Sequence, residues 1–281
     1  MKKHTTTEIR NKWTKLFDNP DIIYHDGRDL FNYSGKLKDY PEIPVMDFVA
    51  KLICEDITIF DRIGTNVGYL RQSKSFNKKD RGVSNAEARI KRFGGIGFNE
   101  KPFAVALYNS GHNFLFGKIF DYELSLKENN DSKYGEIDLL SAIKDEVYVI
   151  ELKIGYSDSG QTKETLLRAI MESFTFTKLL SIRKDKFIKD MNLSEKIKLR
   201  PVVLTLTNAM CAEHMRMLTN GQLRYIKILI DEMNKYFNEK DILPFEFFAI
   251  DEDNPELIQD NNLRIVFKDS TFIRSNVIKY Q

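Results

Sequence analysis

Two short segments of this chain, Glu136 to Ile143 and Val147 to Ile154, carry its clearest strand pattern, with aliphatic residues broken by single charged positions. A polar turn around Lys144-Asp145 joins them. Upstream, the first hundred residues read as mainly helical. Pro44 opens an apolar stretch, Val45 to Phe60, in which Phe48, Val49, Leu52 and Ile53 recur at helical spacing. A polar, basic segment from Arg71 to Arg81 reads as an exposed loop. Ser84 and Glu87 have the spacing of a capping box and open a further helix to about Phe93, which Gly94, Gly95 and Gly97 end.

From Pro102 the pattern turns to strands. Phe103 to Tyr108 and Phe114 to Leu126 are rich in aromatic and β-branched residues, with a turn at Asn109-Ser110-Gly111, and Lys127 to Tyr134 reads as a polar loop. After the two clear strands comes a helix from about Thr162 to Ser181, with Leu166, Leu167, Ile170, Met171 and Phe174 toward the core. A strand from Pro201 to Thr207, a helix from about Gly221 to Phe237 and a strand from Phe245 to Ile250 follow, and Leu263 to Phe267 adds a last strand. The order is that of an α/β protein.

Composition narrows the function classes only a little. The 281 residues are 42% hydrophobic and 12% aromatic, ample for a packed core. No segment approaches the roughly 18 consecutive apolar residues that would span a membrane. Met1 to Thr7 is basic and polar and leads into no apolar run, so it does not read as a signal peptide. Cys54 and Cys211 suggest no disulfide framework, and the cytoplasm is the expected location. The net charge of +2, from 43 basic and 41 acidic residues, neither demands nor excludes nucleic acid as a partner.

The strand around Glu151 changes the picture. Alternation puts Val147, Val149, Glu151 and Lys153 on one face and Tyr148, Ile150, Leu152 and Ile154 on the other. Glu151 and Lys153 are then same-face neighbours about 7 Å apart. A two-residue turn at Lys144-Asp145 pairs Ile143 with Glu146, and counting outward sets Asp138 opposite Glu151. Carboxylates held that close repel and make an oxygen-ligand site for a hard divalent cation, Mg²⁺ or Mn²⁺. Lys153 beside them supplies positive charge for an attacking water or a phosphoryl transition state. The plain alternative is a strand end that simply reaches water.

Gly135-Glu-Ile-Asp138, a hairpin, Ile150-Glu151-Leu152-Lys153 and then an amphipathic helix resemble the PD-(D/E)XK nuclease superfamily over about Phe103 to Thr207. Ile137 stands where the motif's name has proline, as in many members. The resemblance implies a restriction-endonuclease-like core: a mixed central sheet flanked by helices, with a mainly helical N-terminal region. It divides the chain into 1–98, whose last helix can belong to the core, a nuclease core over 99–210 and a C-terminal α/β extension over 211–281. It further implies a Mg²⁺- or Mn²⁺-dependent hydrolase of phosphodiester bonds, with DNA the expected substrate. Asp138, Glu151 and Lys153 are then catalytic, and Asp138, Glu151 and the Leu152 carbonyl bind metal.

Members often add a glutamate from the preceding helix, for which Glu87 is the candidate; its alternative role is the helix cap. They also often carry a polar residue on the helix after the strand, where Arg168 and Glu172 stand; a spacing of four equally suits a surface ion pair. Gln161 is a weaker candidate. Arg71, Lys74, Lys78, Lys79 and Arg81 could track a phosphate backbone, or be a solvated loop. Cys211 to His214 reads as ordinary helix, Gly94 to Gly97 as a turn, and His112 as a loop residue. Members that cut both strands often pair as homodimers, which leaves the oligomeric state open. The competing reading is a module that keeps the fold, loses the chemistry and binds nucleic acid or a protein partner. Asp138, Glu151 and Lys153 standing together argue against it. Removing Lys153 is expected to abolish cleavage and leave folding nearly intact.

Overall fold

The computed structural model describes residues 4–17, 29–63, 76, 100–111, 113–126, 135–155, 164–252, 255–269 and 277–280. Helices α1 (Thr6–Phe17) and α2 (Val45–Glu55) and the single turn α3 (Ile59–Arg62) come first, and α4 (Glu100–Ser110) leads into the sheet. Strands β1 (Asn113–Phe114), β2 (Gly117–Ser125), β3 (Glu136–Ile143) and β4 (Glu146–Lys153) follow, then α5 (Leu166–Ile182) and α6 (Lys184–Met191). The chain continues through β5 (Lys198–Leu206), α7 (Met210–Thr219), α8 (Arg224–Asn238) and β6 (Glu246–Ile250) to β7 (Leu257–Gln259), β8 (Ile265–Phe267) and β9 (Val277–Tyr280).

The protein is α/β, with a mixed sheet in the order β1-β2-β3-β4-β5-β6-β9. The strands β1 to β4 pair antiparallel, β4-β5 and β5-β6 parallel, and β6-β9 antiparallel. Adjacent parallel strands need a crossover, and α5 supplies it between β4 and β5. The β3-β4 hairpin closes on Lys144 at φ 52°, the left-handed conformation that lets two residues reverse the chain. Alternation then sorts the hairpin's side chains to two cores. Leu140, Val147 and Val149 pack with α2, α5 and α8, whereas Leu139, Tyr148, Ile150 and Leu152 pack with α4 and the β7-β8 ribbon.

Helix α5 is the central helix, buried on every side from Leu166 to Leu180. Its start is fixed by three acceptors. The Thr165 hydroxyl accepts from the Arg168 amide (3.2 Å), His214 Nδ1 from the Leu166 amide (3.3 Å) and Asn32 Oδ1 from the Thr165 amide (3.2 Å), which satisfies amides that a helix start leaves open. Midway, Phe174 stacks on Phe237 and meets Phe60, tying α5 to α8 and α3.

One expectation needs correction, and two are refined. Phe103 to Tyr108 is not a strand but the body of α4. Pro102 sits in the helix's first turn, where its missing N–H costs nothing. Phe103 and Leu107, one helical turn apart, both bury in the core beneath Ile265 and Phe267. Gly111 at φ 64° ends that helix, so the Asn109-Ser110-Gly111 turn is its C-terminal cap. The apolar stretch from Val45 is likewise two helices, because the Asp56 carboxylate accepts from the amide and hydroxyl of Thr58 and turns the chain. The strand near Leu263 forms, but pairs with β7 in a separate ribbon, and the sheet's edge is β9 instead. Among the described residues no helix is long and apolar enough to cross a membrane.

Candidate active site

The hairpin ladder runs from Ile143 opposite Glu146 to Leu139 opposite Ile150 and ends there; the same register carried one step outward sets Asp138 beside Glu151. Both leave the sheet on the face of Leu140 and Val149, toward α5. Asp138 Oδ2 accepts from the Leu152 amide at 2.8 Å, taking the place of a ladder carbonyl. A residue's N–H and C=O point to the same side of a strand, so the Leu152 carbonyl faces the same gap between β3 and β4.

Lys153 lies two residues on, and it is not in an open cleft. Its side chain is 4% exposed, with Nζ 2.6 Å from Glu151 Oε1, 2.8 Å from Glu172 Oε2 and 2.9 Å from Glu164 Oε2. Arg168 closes the arrangement from the other side. Its Nη1 is 2.8 Å from Glu164 Oε1, and its Nη2 and Nε are 2.8 and 2.9 Å from Glu172 Oε1. Lys153, Glu164, Arg168 and Glu172 thus form a closed ring of alternating charge, each glutamate giving one oxygen to each cation. A lysine so placed cannot be removed cheaply, which corrects the expectation that its loss leaves folding nearly intact.

The ring is neutral, and the carboxylates outside it are in surplus. Burial, and then the neighbouring Asp138, push Glu151 well above the usual carboxylate range. Burial also lifts Asp138, to about 6, against the pull of Lys153 and the Leu152 amide. Glu100, on the first turn of α4, is carried up to about 8 by burial and by Asp138, Glu164 and Glu172. Glu172 goes the other way. Burial opposes it, but Lys153, a hydrogen bond with Glu151 and Arg168 bring it down to about 2. Burial likewise disfavours the Lys153 ammonium, yet Glu151, Glu172, Glu100 and Glu164 hold it charged. Among the described residues five carboxylates, Asp138, Glu100, Glu151, Glu164 and Glu172, meet two cations, Lys153 and Arg168.

No family model, no curated protein and no solved structure matches this chain. Its chemistry must therefore be read from these residues.

Of the residues singled out in the sequence, Asp138, Glu151, Leu152, Lys153, Arg168 and Glu172 come together here. Arg168 and Glu172 are buried, not a surface pair. Glu87, Gln161, His112 and the basic Arg71, Lys74, Lys78, Lys79 and Arg81 lie outside the described residues. Cys211 and His214 are on α7, as expected of ordinary helix, and His214 is held neutral by burial, down to about 4. Sequence reasoning missed Glu100 and Glu164. Glu164 was detectable, since Glu164, Arg168 and Glu172 form a stripe of alternating charge at a spacing of four. Glu100 was hidden by reading its helix as a strand.

Among the described residues no three His, Cys, Asp or Glu side chains already form a metal cage. Glu151 Oε1 is drawn to Lys153 and Asp138 Oδ2 to the Leu152 amide. A cavity of about 400 Å³ lies elsewhere, between α7, α8 and the starts of β5 and β6, lined by Arg200, Leu218, Ile230 and Phe247.

Proposed function

We propose that this protein is a metal-dependent nuclease with a restriction-endonuclease-like core, which hydrolyses phosphodiester bonds, with DNA as the substrate. The observation that carries this reading is the approach of Asp138 and Glu151 from neighbouring strands, just past the last ladder pair Leu139 and Ile150, with Lys153 in the same buried cluster.

The residues fit a hard cation. Among the described residues Glu151 Oε2 is buried and has no hydrogen-bond partner, and burial raises both carboxylates above their ordinary range, a cost that a bound cation would relieve. Asp138, Glu151 and the Leu152 carbonyl form an all-oxygen set, and Mg²⁺ characteristically takes one or two carboxylates and keeps several waters. Glu100, on the helix before the sheet, adds a third carboxylate to the set. A bound Mg²⁺ or Mn²⁺ supplies Lewis acidity toward a phosphoryl oxygen and an acidified water. Lys153 provides a fixed positive charge toward the phosphate, and the ring around it excludes water and fixes its place.

Incubation with plasmid and with single-stranded DNA, in Mg²⁺, Mn²⁺ or EDTA, tests the reading. Cleavage should need the metal, and Glu151→Gln should lower it by roughly 100-fold or more. Metal-independent cleavage, or a Glu151→Gln variant as active as wild type, would sink the assignment.

A further inference from the structure

Lys153 has three carboxylate anchors, and one of them, Glu151, has a second claim upon it. A cation held by Glu151 draws the carboxylate's charge toward itself and weakens the hold of Oε1 on Lys153, now at 2.6 Å. The lysine stem is flexible, so something else must hold the ammonium in that state. Glu172 is one such anchor, with Oε2 2.8 Å from Nζ. Glu164 divides its oxygens between Lys153 and Arg168, at 2.9 and 2.8 Å. Its backbone is pinned by the next residue. The Thr165 amide donates to Asn32 and the Thr165 hydroxyl to the Phe31 carbonyl. Arg168, whose own amide binds Thr165, fixes Glu164 and Glu172 at one separation through its planar fork.

We propose that Glu164 is a positioning residue for Lys153: with Arg168 and Glu172 it keeps the ammonium at the site when a divalent cation takes up the charge of Glu151. This rests on the metal-dependent reading above. It makes the acidic and basic halves of the site separable, because the ring survives whatever the surplus carboxylates bind. It also gives a role to a residue outside the resemblance's motif.

The test is acylation of Lys153 by a water-soluble N-hydroxysuccinimide ester, read by mass spectrometry, in EDTA and in Mn²⁺. Melting curves under the same conditions report folding and cation binding. Wild-type Lys153 should be protected in both. In Glu164→Gln, Glu151 still holds the lysine in EDTA, but Mn²⁺ should raise labelling at least about fivefold, as expected when an anchor worth about 1 kcal/mol is lost. Turnover in Mg²⁺ should fall with little change in KM, as for an interaction needed in the transition state. Glu164→Asp keeps the charge on a shorter arm and should show the same pattern more weakly; it decides the matter should Glu164→Gln not fold. If Mn²⁺ raises the wild-type Tm but folded Glu164→Gln stays as protected with Mn²⁺ as without, the positioning role is overturned and the nuclease reading stands. If Mn²⁺ shifts the Tm of neither protein, the cation reading falls and takes this proposal with it.

Discussion

The strands β4 and β5 have an ion cluster at each end, and the two clusters differ in balance and in burial. At their starts, Arg200 pairs with Glu146 at 3.0 Å and Glu246 at 3.3 Å, and Lys279 pairs with Glu246 at 2.7 Å. Two cations meet two carboxylates there, and Glu146 and Lys279 are 37% and 43% exposed. At their ends, Lys153 and Arg168 meet Glu151, Glu164 and Glu172, with Asp138 and Glu100 alongside. The first cluster sets opposite charges against one another, with its outer members Glu146 and Lys279 open to water, where such pairs contribute little. The second contains a neutral ring of the same composition, but buried, and adds three carboxylates for which the described residues supply no further cation. Stability alone does not favour buried like charges, so the surplus, not the ion pairs, is the feature on which the proposed function rests.

The largest expected effect contrasts the two lysines. Lys153→Ala strands three buried carboxylates and should cost about 3–5 kcal/mol in urea unfolding at pH 7. Lys279→Ala removes a half-exposed partner and should cost less than about 1 kcal/mol. Similar costs for the two would erase the distinction between the ends. Loss of cleavage in Lys153→Ala therefore needs a folding control, a demand that the buried ring imposes.

A smaller effect divides the buried cluster itself by pH. Asp138 has a folded value raised to about 6 over an ordinary value near 4. Its contribution to stability is thus fully present below pH 4 and is lost as pH rises through 6. Glu172, lowered to about 2, has the opposite sign: its contribution is present above its ordinary value and is lost only as pH falls toward 2. Asp138→Asn keeps an acceptor for the Leu152 amide and removes the charge. In EDTA it should be nearly neutral at pH 4 and stabilising by on the order of 1 kcal/mol at pH 8. A variant that destabilises equally at both would mean the carboxylate is balanced after all.

Much of this was legible in sequence where the signal is local. The Asp138-Glu151 register followed from strand alternation and a two-residue turn, because a one-residue slip would send every side chain to the wrong face. The helix after β4 was visible from its apolar spacing. Its burial was not, since Arg168 and Glu172 look like any exposed pair until β4 and β5 cover them. Phe103 and Val105 carry strand propensity, but packing beneath β8 decides for helix, a tertiary override of a local preference. Glu100 could not be assigned to the site once that helix was misread. The edge strand β9 is four residues long and offered no periodic signal of its own.

The central claim is that Asp138 and Glu151 form one divalent-cation site at the unbalanced end. Calorimetric titration of Mn²⁺ into metal-free wild type, Asp138→Asn and Lys279→Ala at pH 7 tests it most directly. The account predicts saturable binding to wild type, the same binding to Lys279→Ala, and binding weaker by roughly tenfold or more in Asp138→Asn. Equal binding by wild type and Asp138→Asn, or no binding by either, would contradict it.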